Sequence, residues 1–354
     1  MDRIILLLLL FPASICLGQN LLSVKLNYGD GINVFSSVQE AIDAAQDGDI
    51  IQIYPGTYPG FTVDKPLIIY GSGFRRLENY PSDLLNGSTV IDGDVSFTSD
   101  AATSVVGSFS CEQIELEDVN LITLDRIDIQ TKFSIRNCAD IIVKSCHVTT
   151  DIQSGRKCAV GLSGTTSASF LSTLFLSREE WCNFGCSHIS YSIGTTTSDS
   201  NVSVAFNHCL FMLNPSFSYG SGQVTFSNSI FSRHPSDGGG AIQYDSNNFA
   251  LAAFKNVFRI NSAPSQYGPN NLGGVDYPDL FVGPGSFDGQ YQLLITSPAK
   301  GHGTNGSDCG PYGGDNAYVP SGLPRAPIIT RLDLPPNGTT GAGMQVSLKG
   351  KTQN

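Results

Sequence analysis

Four charged residues in the middle of the chain have the types that acid–base chemistry needs. Asp125, Arg126 and Asp128 share one short segment, and Lys144 holds the place matching Asp125 in the next segment of a repeat. A carboxylate beside a guanidinium or ammonium group can exchange protons with a substrate on the wall of a groove. The alternative, which we favour, is a surface ion pair between Asp125 and Lys144, worth under about 1 kcal/mol.

Asp92 and Asp94 are the candidate metal ligands. The two carboxylates flank Gly93 and would point to one side of an extended backbone. Carboxylate oxygens suit Ca²⁺, so calcium is the cofactor that this pair would hold. The alternative is an ordinary turn, in which Asp and Gly are common.

Three aromatic residues, Trp181, Phe184 and Tyr191, are candidates for binding a sugar. Aromatic faces suit the C–H surfaces of sugar rings because apolar area and the ring quadrupole favour contact. The alternative is a loop that packs on the body of the protein through its own aromatic side chains. Two histidines, His147 and His208, fall in the repeated segments, and we expect both to be structural.

A repeat of short strands must position these residues. Six segments share one pattern of apolar and polar residues, and the last of them lacks one residue; they begin at positions 124, 143, 170, 206, 226 and 254. Spacings near 20 residues between segment starts define the smallest repeat unit. Longer spacings indicate loops inserted in that unit, which coiled strands tolerate. Turns of such a coil stack about 4.8 Å apart, so like residues meet.

The repeat predicts an all-β fold, a right-handed parallel β-helix. Ile127, Cys146, Thr173, Cys209 and Ser229 share the fourth position of the pattern and form a predicted inward row. Asn228 and Asn256 suggest a short asparagine ladder at a bend, where stacked amides satisfy one another's hydrogen bonds.

The open ends of such a coil need covers, because exposed strand edges pair with other chains. Ser37 and Glu40 form a capping box for a predicted helix over residues 37–47, which would seal the N-terminal end. Residues 262–330, rich in Gly, Pro and Tyr, are predicted to wrap the other end. Residues 331–354 are then a tail that is either flexible or a final strand.

Residues 1–18 have a charged start, a short apolar run and a small-residue exit, as in a secretory signal peptide. We therefore expect residues 19–330 to form the coil with its caps outside the cell or on its surface; lipidation of Cys16 is an alternative. The net charge of −11 argues against nucleic acid and anionic membranes, and no later segment is apolar enough to span a bilayer.

Nine cysteines occur in the chain. Disulfides are permitted in an exported protein, and Cys182 with Cys186 is the best candidate for a local bridge. A zinc site at these two residues is the alternative.

Two stretches resemble a known family. One looks like the opening of secreted pectate-lyase-like β-helix proteins: residues 37–45, 48–51 and 55–58. The other is similar to the end of such proteins from Bacteroidetes: residues 297–299, 308–314 and 318–320. The resemblance implies the fold but not the reaction, since the superfamily includes lyases, hydrolases, esterases and non-catalytic proteins. For a pectate lyase it would imply calcium-binding aspartates and an arginine base.

The sequence thus predicts a secreted protein that binds, and in one version processes, an extracellular polysaccharide along a groove on a strand face. Two alternatives stay open: a non-catalytic structural or adhesive surface protein, and a calcium-dependent polysaccharide lyase. Charged residues make up only 14% of the chain, and this low content favours a binding or structural role over catalysis. If the protein is an enzyme, we expect a polysaccharide lyase or a glycoside hydrolase.

Overall fold

The chain coils into a parallel β-helix. The computed structural model describes residues 21–24, 33–79, 87–150, 158–177, 191–212, 215–232, 242–259, 268–324, 328–333 and 347–351. Within these ranges every pairing between strands of the coil is parallel, as between Phe206 and Phe226. Successive strands pair across one turn of the coil and build three faces. The predicted right-handed parallel β-helix is therefore confirmed, in the hand that parallel crossovers adopt.

The strands divide among the faces as follows. Face 1 contains β1 (Leu21–Val24), β3 (Ile50–Ile53), β5 (Ile68–Tyr70), the starts of β7 (Val105–Glu117) and β8 (Thr123–Arg136), β9 (Ile141–Lys144), β12 (Thr165–Leu171), β15 (Asn201–Asn207), β18 (Ser221–Ser227) and β21 (Phe249–Phe254). Face 2 contains the starts of β4 (Gly56–Val63) and β6 (Thr89–Phe97), the middles of β7 and β8, β10 (His147–Thr150), β13 (Leu174–Ser177), β16 (Leu210–Phe211), β19 (Ile230–Phe231) and β22 (Val257–Phe258). Face 3 contains the ends of β4, β6, β7 and β8, then β11 (Cys158–Ser163), β14 (Tyr191–Thr195), β17 (Ser216–Phe217) and β20 (Gln243–Tyr244). The short strand β2 (Val34–Phe35) pairs with β1.

Stacked phenylalanines fill the interior. On face 1 the ring of Phe206 lies 5.1 Å from that of Phe170 and 4.7 Å from that of Phe226, with nearly parallel planes. A second row on face 2 stacks at 4.5–4.9 Å; it contains Phe175, Phe211, Phe231 and Phe258. Strand residues alternate between the two sides of a sheet, so the strand residues directly before and after each inward phenylalanine point outward.

The predicted repeat is correct except in its last segment. The whole fourth-position row is buried, as expected. However, Phe226 pairs with Ala253, so the sixth segment begins at residue 253 and lacks nothing. The prediction missed this register because Ala253 takes the inward place that phenylalanine holds one turn earlier.

The same shift corrects the asparagine ladder. Asn256 lies beside Ser229 rather than Asn228, and its Oδ1 accepts a hydrogen bond from the Ser229 amide at 2.8 Å. Asn271 continues this ladder by accepting from the Asn256 amide at 3.0 Å. Asn228 bonds instead to Asn207, with its Nδ2 2.9 Å from Oδ1.

The N-terminal helix α1 (Val38–Ala44) forms as predicted, with the capping box between Ser37 and Glu40 in place. It ends three residues earlier than expected. Val38, Ala41 and Ile42 are buried in the main core. The Lys65 ammonium donates to the carbonyls of Ile42 and Ala45 at the helix end.

The closing segment, residues 268–324, corrects a second expectation. It continues face 2 at Leu272, beside Val257, but then runs back along the outside of face 2 rather than only wrapping the end. Outward residues of face 2 pack against it in a second core that includes Leu174, Leu210 and Ile230. The short helices α2 (Arg76–Asn79) and α3 (Tyr277–Leu280) flank this contact.

Two further features concern the ends and the cysteines. Strands β23 (Ile328–Asp333) and β24 (Ser347–Lys351) form a separate antiparallel pair that begins before the predicted tail and ends inside it. None of the helices in the described ranges is long and apolar enough to cross a membrane. The predicted signal peptide and the Cys182–Cys186 bridge lie outside the described residues. The five described cysteines with characterised side chains are buried free thiols, so disulfides are absent among them: Cys111, Cys138, Cys146, Cys209 and Cys309.

Candidate functional site

Lys144 and Asp125 lie side by side, as the repeat predicted. They are register partners on β9 and β8, with Nζ 3.6 Å from Oδ2. However, Asp125 is 1% exposed and Arg126 is 2% exposed, so neither forms a groove wall. The Arg126 guanidinium donates to the Leu323 carbonyl and thereby anchors the closing segment. A catalytic role for these residues stays a prediction, and their burial argues against contact with a substrate.

Asp128 pairs with His147 beneath the closing segment. The Nδ1 of His147 lies 2.5 Å from a carboxylate oxygen of Asp128, and both residues are fully buried. Phe287 covers the pair with its ring 4.3 Å from the imidazole, and the Arg75 guanidinium stacks on that ring while approaching Asp128 to 3.7 Å. Burial alone would raise the pKa of Asp128, but the His147 and Arg75 contacts bring it below its ordinary value. The pair has the chemistry of a general base, yet Phe287 seals it from solvent.

Asp288 is a further buried carboxylate, one that the sequence pattern did not indicate. It accepts hydrogen bonds from Asn79, the Ser321 amide and the Tyr318 hydroxyl at 2.7, 2.7 and 3.1 Å. Burial and the nearby Asp288 raise the pKa of Tyr318. Asn79 lies 209 residues before Asp288 in sequence, so no local pattern could have indicated this cluster. The cluster fastens the closing segment to α2.

The remaining predicted ligands are scattered. Asp92 and Asp94 are both exposed on β6, at a bulge where Gly93 has a φ of +137°. In the described part of the chain no group of three or more His, Cys, Asp or Glu side chains could hold a metal ion. A calcium site at this pair therefore stays a prediction. Trp181 and Phe184 lie outside the described residues, and Tyr191 begins β14 with its side chain undescribed.

A shallow depression crosses the outside of face 1 on β9, β12, β15 and β18. It has a volume of about 420 Å³. Its floor consists mostly of short side chains, including Ser167, Ser169, Ser203, Ala205 and Thr225. Leu121 and Ile142 line it as well, and they are 51% and 39% exposed. Small outward residues thus leave room above the sheet, while the inward phenylalanines keep the same strands firmly packed.

A larger pocket of about 600 Å³ follows at the C-terminal ends of β12, β15, β18 and β21. Its floor is the next outward row: Leu171, Asn207, Ser227 and Phe254. Its wall is formed by residues 304–307 and 314–316 of the closing segment. We call this the amide pocket, and the pocket together with the depression the face-1 groove.

Asn228 fixes the wall of the amide pocket to the coil. Its Oδ1 accepts hydrogen bonds from the amide and hydroxyl of Thr304 at 2.8 and 3.0 Å. Its Nδ2 donates to Asn207 on the floor. The pocket also exposes an aromatic surface, because Phe254 points outward and is 38% exposed. The sequence repeat included Phe254 but indicated no role for it, since the predicted register at that segment was wrong by one residue.

His208 lies under the other part of the wall. It is buried against Gly313 and Gly314, and a Cβ atom added at Gly314 would lie only 2.5 Å from its Nε2. Gly314 also has a φ of +70°, so glycine is required there on both counts. Burial lowers the pKa of His208. The expectation that this histidine is structural agrees with its position.

Comparison with known proteins adds little. The sequence matches no protein-family model, and no curated protein is significantly similar to it. Among solved structures, the crystal structure of pectate lyase Pel9A aligns with a TM-score of 0.49 and 12% identity, over 83% of this chain and 97% of that chain. At this level of similarity the strand pairing of the chain itself, rather than the neighbour, establishes the fold.

Proposed function

We propose that this protein binds a polysaccharide in the face-1 groove and does not cleave it. The observation that carries the proposal is the exposed ring of Phe254 beside the hydroxyl and amide groups of the amide pocket. A sugar ring has apolar C–H faces and a rim of hydroxyls, and an aromatic platform flanked by amides complements both. The depression beyond it offers length for further sugar units.

The charges in the groove support binding over catalysis. Glycoside cleavage by the common mechanisms needs two carboxyl groups flanking the bond. Among the described residues that line the groove, the depression has one carboxylate, Asp140, and the amide pocket has one, Asp315. The other acid–base candidates, Arg126 and Asp128, are buried under the closing segment.

The proposal is tested by titrating the purified protein against a panel of soluble polysaccharides, with and without calcium. Binding and newly formed reducing or unsaturated sugar ends are recorded together. Removing the Phe254 platform by Phe254→Ala should weaken binding about tenfold, which corresponds to about 1.4 kcal/mol. The matched control is Tyr54→Ala, because Tyr54 is an aromatic residue of similar exposure, 37%, that does not line the groove.

Three results would count against the proposal. New sugar ends would show catalysis and restore the lyase alternative. Equal weakening by Phe254→Ala and Tyr54→Ala would remove the groove as the binding site. Failure to bind any polysaccharide would favour the alternative of a structural or adhesive surface protein.

A further inference from the structure

The described residues that line the face-1 groove carry negative charge and no positive charge. Asp140 lies in the depression and Asp315 in the amide pocket, and neither lining includes Lys or Arg. His208, the one other titratable group in the pocket lining, has its pKa lowered by burial and is therefore neutral at pH 7. The whole chain carries a net charge of −11, so the surroundings reinforce this sign.

Three lysines on neighbouring segments are absent from the lining of the groove. Lys144 is the register neighbour of Leu171 on the pocket floor, but its ammonium lies 3.6 Å from the Asp125 carboxylate. Lys300 is held 2.8 Å from Asp308. Lys255 follows Phe254 in sequence but is part of neither lining, and its charge together with burial lowers the pKa of His302.

Such a lining discriminates between sugar classes. A hydroxyl of a neutral sugar can donate to the Asp315 carboxylate, and hydrogen bonds to charged groups are stronger than neutral ones. A uronic acid or a sulfated sugar brings its own anion, which needs a cation or a bound metal ion to offset repulsion. The groove offers amide and hydroxyl groups, which suit the uncharged hydroxyl rim of a neutral sugar ring.

We propose that the face-1 groove selects neutral polysaccharides over acidic ones and that Asp315 is a specificity-determining residue. This inference rests on the proposed polysaccharide binding and names the class of sugar. It is opposite to what the resemblance to pectate lyases would imply, since pectate is a polyanion.

The test compares binding of the full chain to neutral polymers (mixed-linkage β-glucan, xylan, mannan and galactan) and to acidic ones (polygalacturonate, alginate and chondroitin sulfate) in EDTA. We expect affinity for at least one neutral polymer to exceed that for every acidic polymer by tenfold or more. This binding should stay constant within about twofold between roughly 0.05 and 0.5 M NaCl, because no ion pair forms. Tighter binding to an acidic polymer would overturn the inference and leave polysaccharide binding intact. Binding to none of the polymers would instead overturn the proposed function.

The role of Asp315 is tested by Asp315→Asn, with Asp47→Asn as the control of equal charge change. Both residues are exposed, and Asp47 follows α1 far from either lining. Asp315→Asn should weaken binding of the preferred neutral polymer about tenfold and raise affinity for polygalacturonate, whereas Asp47→Asn should change neither. Equal effects of the two variants, or no effect of Asp315→Asn on either polymer, would show that Asp315 does not determine specificity.

Discussion

Replacing Phe206 by Ala and replacing Phe254 by Ala should destabilise the fold to very different extents, although both residues lie on face 1. Phe206 is fully buried and stacks on Phe170 and Phe226. Removing a buried phenylalanine ring typically costs about 3–5 kcal/mol through lost transfer energy and the cavity left behind. Since two stacked contacts are also lost, at about 0.5–1.5 kcal/mol each, we expect Phe206→Ala to lower the free energy of unfolding by about 5 kcal/mol.

Phe254 points out of the same face and is 38% exposed. Its removal opens onto solvent and leaves no cavity, so Phe254→Ala should lower the free energy of unfolding by only about 1 kcal/mol. Urea denaturation followed by far-ultraviolet circular dichroism measures both values. The pair of variants should separate by about 4 kcal/mol. If the two losses of free energy of unfolding agreed within about 1 kcal/mol, the register that places Ala253, and not Phe254, in the inward row would be refuted.

Two other predictions concern the contacts of the closing segment. Asp128→Asn breaks a buried charge network with His147 and Arg75 and should lower the free energy of unfolding at pH 7 by about 3 kcal/mol. The folded-state pKa of Asp128 lies below its ordinary value near 3.8, so the carboxylate's contribution to stability is complete above that pH and is lost as the pH falls through the folded value. Urea titrations should therefore show the difference in free energy of unfolding between wild type and variant closing only in strong acid. A difference that is constant with pH would contradict this. Asn228→Gly should lower the free energy of unfolding by no more than about 2 kcal/mol, because glycine adopts the φ of +52° without strain and this relief offsets part of the cost of the lost side-chain hydrogen bonds. The same variant loses the bonds to Thr304 and should weaken glycan binding at least about fivefold in calorimetry, whereas unchanged binding would show that the pocket wall holds without it.

The fold could be predicted from sequence because it depends on a repeated local pattern. Each of five segments places an apolar residue inward at the same step; they start at positions 124, 143, 170, 206 and 226. Because like residues stack on like residues from one turn to the next, all five adopt the same register. The predicted repeat failed only in its last segment, where Ala253 replaces the large apolar residue of the pattern. The capping box of α1 was equally local, with both of its hydrogen bonds within four residues.

The candidate site could not be predicted in the same way. The sequence pattern favoured charged residues as candidates, yet Arg126 and Asp128 are covered by the distant closing segment, in which Leu323 lies 197 residues beyond Arg126. Whether a polar residue on a strand faces solvent depends on what the closing segment covers, and the repeat contains no information on that. The groove itself is formed by short residues such as Ser169 and Ala205, whose importance lies in the space they leave.

The corner between faces 1 and 2 links the coil to the pocket. Its residues adopt left-handed backbone conformations turn after turn: Ser108, Arg126, Ser145, Ser172, His208, Asn228 and Lys255. This conformation costs roughly 1 kcal/mol or more for a residue other than glycine, yet none of these corner positions has glycine.

The side chains at the corner give a reason for accepting that strain. Arg126 holds the Leu323 carbonyl, His208 supports Gly314, and Asn228 holds Thr304. Glycine would relax the backbone but would lose these contacts with the closing segment, including the one to the wall of the amide pocket. The left-handed corner therefore costs the coil some stability while it holds the closing segment, and with it one wall of the face-1 groove, in place.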